Sequence, residues 1–203
     1  MQSLTSYMNR YSDSKYVFKS CGKEWIVILQ KLSDTITNEA RKVVDAKFAK
    51  FRADKLLVVD IVNKFDQTKS CISIYNSIYV DDKIEYAKGK TIEITNFDKN
   101  IHKVCTRGIH YFKTIVAAFY CELDKVTNGE WIQWYDSGRL QIKGMYINGI
   151  KEGEWIKWHN NGSIQIKGLY KNGKREGRWT EWYEHDGLIK WTFCWTKSEE
   201  KDD

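Results

Sequence analysis

Asn128-Gly-Glu-Trp-Ile-Gln-Trp-Tyr-Asp-Ser-Gly138, Glu152-Gly-Glu-Trp-Ile-Lys-Trp-His-Asn-Asn-Gly162 and Glu176-Gly-Arg-Trp-Thr-Glu-Trp-Tyr-Glu-His-Asp-Gly187 are three versions of one phrase. Gly129, Gly153 and Gly177 are spaced 24 residues apart, as are the pairs Trp131 and Trp134, Trp155 and Trp158, Trp179 and Trp182. The second half also recurs, since Leu140-Gln-Ile-Lys-Gly-Met-Tyr-Ile-Asn-Gly149 matches Ile164-Gln-Ile-Lys-Gly-Leu-Tyr-Lys-Asn-Gly173, and the third turn carries one extra residue. A fixed period of this size marks units that cannot bury a face alone and must stack to share a core.

Each unit reads as a β-hairpin. Aromatic and β-branched runs flank Ser137-Gly138 or Asn161-Gly162, and Asn148-Gly149 or Asn172-Gly173 joins one hairpin to the next. In the second strand Leu140, Ile142 and Tyr146 share a face, with Gln141 and Lys143 on the other. Gly144 and Gly168 fall on the apolar face, where a missing side chain admits a large aromatic from a neighbouring strand or unit. Indoles three residues apart point to opposite faces unless a bulge intervenes, so Trp134, Trp158 and Trp182 are the candidate exposed ladder and protein-contact surface. In the last unit Trp191, Phe193 and Trp195 replace Ile166, Gly168 and Tyr170, and are expected to seal the open end of the core.

The signature residues Gly129, Trp131, Trp134, Gly138, Gly144, Tyr146 and Gly149, then Gly153, Trp155, Trp158, Gly162, Gly168, Tyr170 and Gly173, then Gly177, Trp179, Trp182 and Gly187, resemble the MORN repeat. The likeness is to its Trp-rich variant, also seen in bacterial antitoxin-like proteins, and it covers residues 128 to 195. The resemblance implies an elongated hairpin sheet used for protein contact and scaffolding, in some members for attachment to phosphoinositide-bearing membranes, with no catalytic residues of its own.

The preceding part alternates less regularly. Trp25-Ile-Val-Ile-Leu29 reads as a short buried element, a helix is expected to begin near Ser33, Asp34 or Thr35, and another over Lys113 to Leu123. Strands are expected at Leu56 to Val62, Cys71 to Tyr75, Lys83 to Tyr86 and Thr91 to Thr95, with turns at Asp81-Asp82 and Lys88-Gly89. The strings Lys50 to Ile61, Glu85 to Lys90, Asn96 to Asp98 and Cys105 to Phe112, with Ala117 and Tyr120 after them, resemble an uncharacterised domain of giant DNA viruses of mimivirus and marseillevirus type, found there beside MORN or pentapeptide repeats. That likeness covers about residues 40 to 122 and brings no function. The expected fold class is therefore α+β: a strand-rich N-terminal domain followed by an all-β MORN hairpin-repeat sheet. The expected domains are a partly ordered segment at 1–39, a small α+β domain at 40–126, three repeats at 127–196 and a charged disordered tail at 197–203.

Composition narrows the function. The chain of 203 residues has no Pro, 9 Trp and a formal charge of +6, all of it before residue 128. This modest spread excess does not make the basic stripe of a dedicated nucleic-acid binder, so nucleic acid is not an expected partner. Arg41, Lys42, Lys47, Lys50, Arg52 and Lys55 form the densest basic stretch; it reads as a solvated face, with attraction to anionic lipid as the alternative. No apolar run is long enough to cross a bilayer, and residues 1–10 lack the apolar region of a secretory signal, so a cytoplasmic location is expected, which the viral resemblance implies is that of an infected host cell, or else the virion. The five scattered cysteines suggest neither disulfides nor a zinc site, and no metal or cofactor is expected.

Cys105, Arg107 and His110 are the best catalytic candidates, since a reactive thiolate needs a nearby base or cation and Gly108 could turn the imidazole toward the thiol. With no acid to orient His110, and with His102 and His110 lacking partners at metal-binding spacing, the expectation is a protein that is not an enzyme. The expected partner is another protein, with anionic lipid and self-association through repeat edges as alternatives.

Overall fold

The computed structural model describes residues 2–76 and 83–195. The turn expected at Asp81-Asp82 and the tail expected at 197–203 lie outside them. The chain divides into two units: Met1–Leu123 with Asp136–Gly138, and Asp124–Tyr135 with Arg139–Asp203.

In chain order, unit 1 contains α1 (Gln2–Arg10), β1 (Tyr16–Cys21), β2 (Trp25–Gln30), β3 (Lys50–Ala53), β4 (Lys55–Asn63), β5 (Ser73–Tyr75), β6 (Glu85–Ala87), β7 (Thr91–Glu93), β8 (Ile109–Phe112) and α2 (Ile115–Tyr120). Six strands form an antiparallel sheet in the order β3-β8-β1-β2-β4-β7, and β5 pairs with β6 separately. Ile26 to Leu29 are all buried, which explains why this strand is a continuous apolar run instead of an alternating one. Val17, Val27, Leu29, Phe51, Leu56, Val58, Tyr86 and Tyr111 belong to the core of the unit. α2 packs on β1, β2 and β8, with α1 against it. Thr114 caps α2, its hydroxyl accepting from the Ala117 N–H, and five of the six helical residues are buried.

Two expectations are corrected here. Residues 1–39 are not a segment apart from 40–126, because β1 and β2 sit in the middle of the sheet and pair with β8 and β4. No helix starts near Ser33: the Thr35 hydroxyl accepts from the Leu32 N–H at 2.7 Å and Thr37 bridges to Ala53, so the local hydrogen-bonding capacity makes turns. The helix expected over Lys113 to Leu123 forms as α2, shorter at both ends: Thr114 is its N-cap and Cys121 its C-cap.

Unit 2 is a six-stranded antiparallel meander of β9 (Gly129–Trp134), β10 (Leu140–Ile147), β11 (Ile150–Trp158), β12 (Ile164–Lys171), β13 (Lys174–Trp182) and β14 (Ile189–Trp195), in sequential order. Asn148 and Gly149 have φ of 50° and 73°, and Asn172 and Gly173 have 51° and 78°. Positive φ at both central residues gives a turn whose twist matches that of the strands, so the links between units are themselves the tightest hairpins. Among the described residues, no helix is long and apolar enough to cross a membrane.

Candidate functional site

The repeat residues separate onto two faces of the unit 2 sheet. Trp131, Trp155 and Trp179 are at most 4% exposed, and Tyr146 and Tyr170 stand between them. Successive rings of the column Trp131, Tyr146, Trp155, Tyr170, Trp179 meet nearly edge to face, with centroids 5.0 to 5.9 Å apart. Lys151 lies over Trp155 at 4.3 Å and Tyr170 at 4.9 Å; one repeat later Arg175 lies over Trp179 at 4.4 Å.

The glycines make this column possible. A Cβ on Gly144 would overlap the Trp155 indole, and one on Gly168 would overlap that of Trp179. Between the pairs Lys143↔Ile156 and Met145↔Glu152, strand β11 spends two more residues than β10, and β13 does the same against β12 around Gly177. Gly153 and Gly177 take φ of 69° and 62° in these bulges, a conformation that costs a side-chain-bearing residue energy. The Gly-x-Trp spacing thus makes a bulge that swings the indole across the glycine of the preceding strand.

Alternation along β9, β11 and β13 puts Trp134, Trp158 and Trp182 on the opposite face, where they are half-buried. Their surroundings link the units: the Tyr135 hydroxyl donates to the Trp158 carbonyl at 2.7 Å, and His159 Nε2 lies 3.1 Å from the Trp182 carbonyl. Met145, Ile147, Ile150 and Leu169 share this face and are 38% to 50% exposed. The pairs Lys143–Glu130 at 2.8 Å and Lys167–Glu154 at 2.7 Å cross between its strands. The sealing expected of the last strand is incomplete, because Phe193 remains 58% and Trp195 43% exposed.

In unit 1 the organising residue is one that sequence reasoning placed on the surface. Arg52 is fully buried, and its guanidinium donates to the carbonyls of Lys103, Asp98, Arg107 and Asn100 at 2.8 to 2.9 Å, with the Phe97 ring against it at 4.9 Å. Asn38 holds the Arg52 N–H and also donates to Ile101 and Lys103 carbonyls. Carbonyls of the 98–107 loop are thereby turned inward, and Lys99, His102, Lys103, Cys105 and Arg107 are left exposed. Nor do the other basic residues of this stretch form one patch: Arg41 donates to the Lys50 carbonyl and Lys55 pairs with Asp34 at 2.7 Å.

Cys105, Arg107 and His110 all line one cavity of about 590 Å³, together with Lys19, Lys50, Tyr86, Phe112 and Glu122. The His110 ring donates from Nε2 to the Val104 carbonyl at 2.8 Å, and the Cys105 thiol lies 3.8 Å from the Asp136 carboxylate. Burial lowers the His110 pKa to about 4; the Val104 bond opposes this and Lys50, Lys19 and Arg52 add to it. The imidazole is consequently neutral at physiological pH. Behind this wall Lys64 is buried, its ammonium donating to the Ser20 hydroxyl and the Cys121 carbonyl at 2.8 Å, and burial lowers its pKa to about 8. Among the described residues, no group of three or more His, Cys, Asp or Glu is arranged to hold a metal ion.

Neither a curated protein nor a solved structure matches the chain. The model of the MORN repeat variant matches residues 127–148 and 151–172, the first two units; the third, β13 and β14, continues the sheet with Trp179 opposite Phe193. A second model matches residues 6–118, more than half of the chain, and begins well before the boundary expected near residue 40. The sheet through which β1 and β2 run is thus a family domain, and the chain belongs to the family of unknown function DUF5758, with MORN-variant repeats following that domain.

Proposed function

We propose that the chain is a non-catalytic binding protein whose repeat sheet contacts another protein through the face opposite the aromatic column. The observation that carries this reading is the exposed apolar row Met145, Ile147, Ile150 and Leu169, beside the half-buried Trp134, Trp158 and Trp182 and flanked by ion pairs. Apolar surface rimmed by charge is typical of contact sites, tryptophan is over-represented at their energetic centres, and rim charges act mainly on register and partner choice. The reading extends to a viral origin and a scaffolding role in an infected cell or virion, on the sequence resemblance of residues 40 to 122 alone.

Attachment to phosphoinositide or other anionic membranes is the second reading. It has less support, because burial of Arg52 and the pairing of Lys55 remove two charges from the basic stretch it would use. Photo-cross-linking from a benzophenone side chain at position 147, run beside co-sedimentation with phosphatidylcholine vesicles with and without phosphoinositide, separates the two. Protein adducts that disappear in Leu169→Glu, without vesicle pelleting, are the expected result. An adduct of twice the chain mass makes the partner a second copy. Lipid-dependent pelleting with no adduct overturns the protein-contact reading.

A further inference from the structure

The unit 1 cavity collects charge of one sign. Lys19, Lys50, Lys83 and Arg107 line it, against one carboxylate, Glu122. Four other lysines of the unit have a carboxylate partner within 3.1 Å: Lys31 and Lys113 with Glu39, Lys55 with Asp34, and Lys88 with Asp60. Among the described residues, none of the four cavity cations has an ion-pair partner within 4.0 Å. Four like charges around one concavity repel each other and hold a positive potential there, since low-dielectric walls focus the field.

Two further features mark the place as built. Glu122 adopts φ of 65°, a left-handed conformation that a non-glycine residue holds only at a cost, and its carboxylate is anchored by the Ser20 hydroxyl at 3.3 Å. His110 Nε2 donates to a carbonyl, so in the neutral ring Nδ1 is an acceptor, and the cations around the ring help keep it neutral. Beside Ser20, Asn76, Asn96 and Thr106 the lining has an apolar and aromatic part: Tyr86 is buried beneath the Lys19 ammonium, 5.6 Å from its ring centre, with Ile84, Ile94 and Phe112 alongside. A volume of about 590 Å³ would be left mostly empty by a bare inorganic anion, and it falls in the range of small-molecule sites with apolar walls and a few placed polar groups.

We propose that this cavity binds a small organic anion, a phosphate or carboxylate carried on a flat apolar body, with Lys19, Lys50 and Arg107 holding the anionic group and Tyr86 and Phe112 contacting the body. The site is independent of the repeat sheet and of its proposed partner. Titration calorimetry of the full chain with phenyl phosphate and with benzoate tests it, with benzyl alcohol and inorganic phosphate as probes lacking the charge and the body respectively. At least one aromatic anion is expected to bind, and benzyl alcohol is not. Each charge-assisted hydrogen bond lost should weaken binding about tenfold, so Lys50→Met with Arg107→Met should do so by that much or more. Binding should also raise the His110 pKa seen by NMR, because an anion offsets the cations that depress it. Arg107 is exposed, so Arg107→Met alone provides the comparison if the double variant does not fold. No binding by either aromatic anion, equal affinity in wild type and variant, or inorganic phosphate binding as well as phenyl phosphate, overturns the proposal.

Discussion

Single residues set the interior of unit 1 by being polar in places where polarity must be satisfied. Glu39 shows the balance. Burial pushes its carboxyl pKa up, but the Lys113 ammonium at 2.6 Å, the Tyr111 hydroxyl at 2.6 Å and the Lys31 ammonium at 3.1 Å outweigh it, and the net shift is downward from 4.5. A carboxylate favoured by the fold contributes stability that is complete above its unfolded pKa and disappears as pH falls through the lower folded one. Glu39→Gln should therefore cost about 2 kcal/mol at neutral pH, the scale of a hydrogen bond to a charged group. Urea unfolding of both proteins should show the gap constant above about pH 5 and closing as pH falls below the ordinary glutamate range. A gap that stays constant down to pH 3, well under that range, would mean Glu39 acts by shape alone.

At the scale of the element, the repeat works because each strand's glycine gives up its side-chain space to the tryptophan of the next unit. Gly168 and Trp179 face each other across β12 and β13, and the indole is only 2% exposed, so it has no room to retreat. Gly168→Ala should destabilise unit 2 by about 1–3 kcal/mol through overpacking. The measurement is thermal unfolding followed by tryptophan fluorescence. Phe193, at the equivalent place in β14, meets no such restriction and is largely exposed, so Phe193→Ala should shift the transition much less. Comparable shifts for the two would remove the glycine–tryptophan packing as the reason for the glycines. Much of this was legible beforehand: the glycine on the apolar face and the opposed indoles follow from a period of two. The bulges at Gly153 and Gly177 were not, because an irregularity of register exists only between strands, and the sequence of one strand does not record where its neighbour slips.

For the molecule as a whole, the two units keep their own sheets, and they divide near residue 123, with no further division near residue 39. A chain starting at residue 40 lacks β1 and β2, which exposes the buried faces of β8 and β4. Such a truncation should lose the unit 1 transition in calorimetry, leaving at most that of the repeat sheet. Retention of both transitions would show β1 and β2 to be dispensable.

The repeat sheet was determined by the sequence alone. Its contacts join strands adjacent in the chain, and local devices recurring every 24 residues, the Asn-Gly turns and the Gly-x-Trp phrases, are enough to write it. Unit 1 was decided only in three dimensions. Its central strands come from residues 16–30, its core arginine reaches carbonyls 46 to 55 residues away, and its cavity joins Lys19 to Glu122. An arginine with four carbonyl partners and an arginine on the surface are written with the same letter. Only closure of the chain around Arg52 supplies the partners that make its burial favourable.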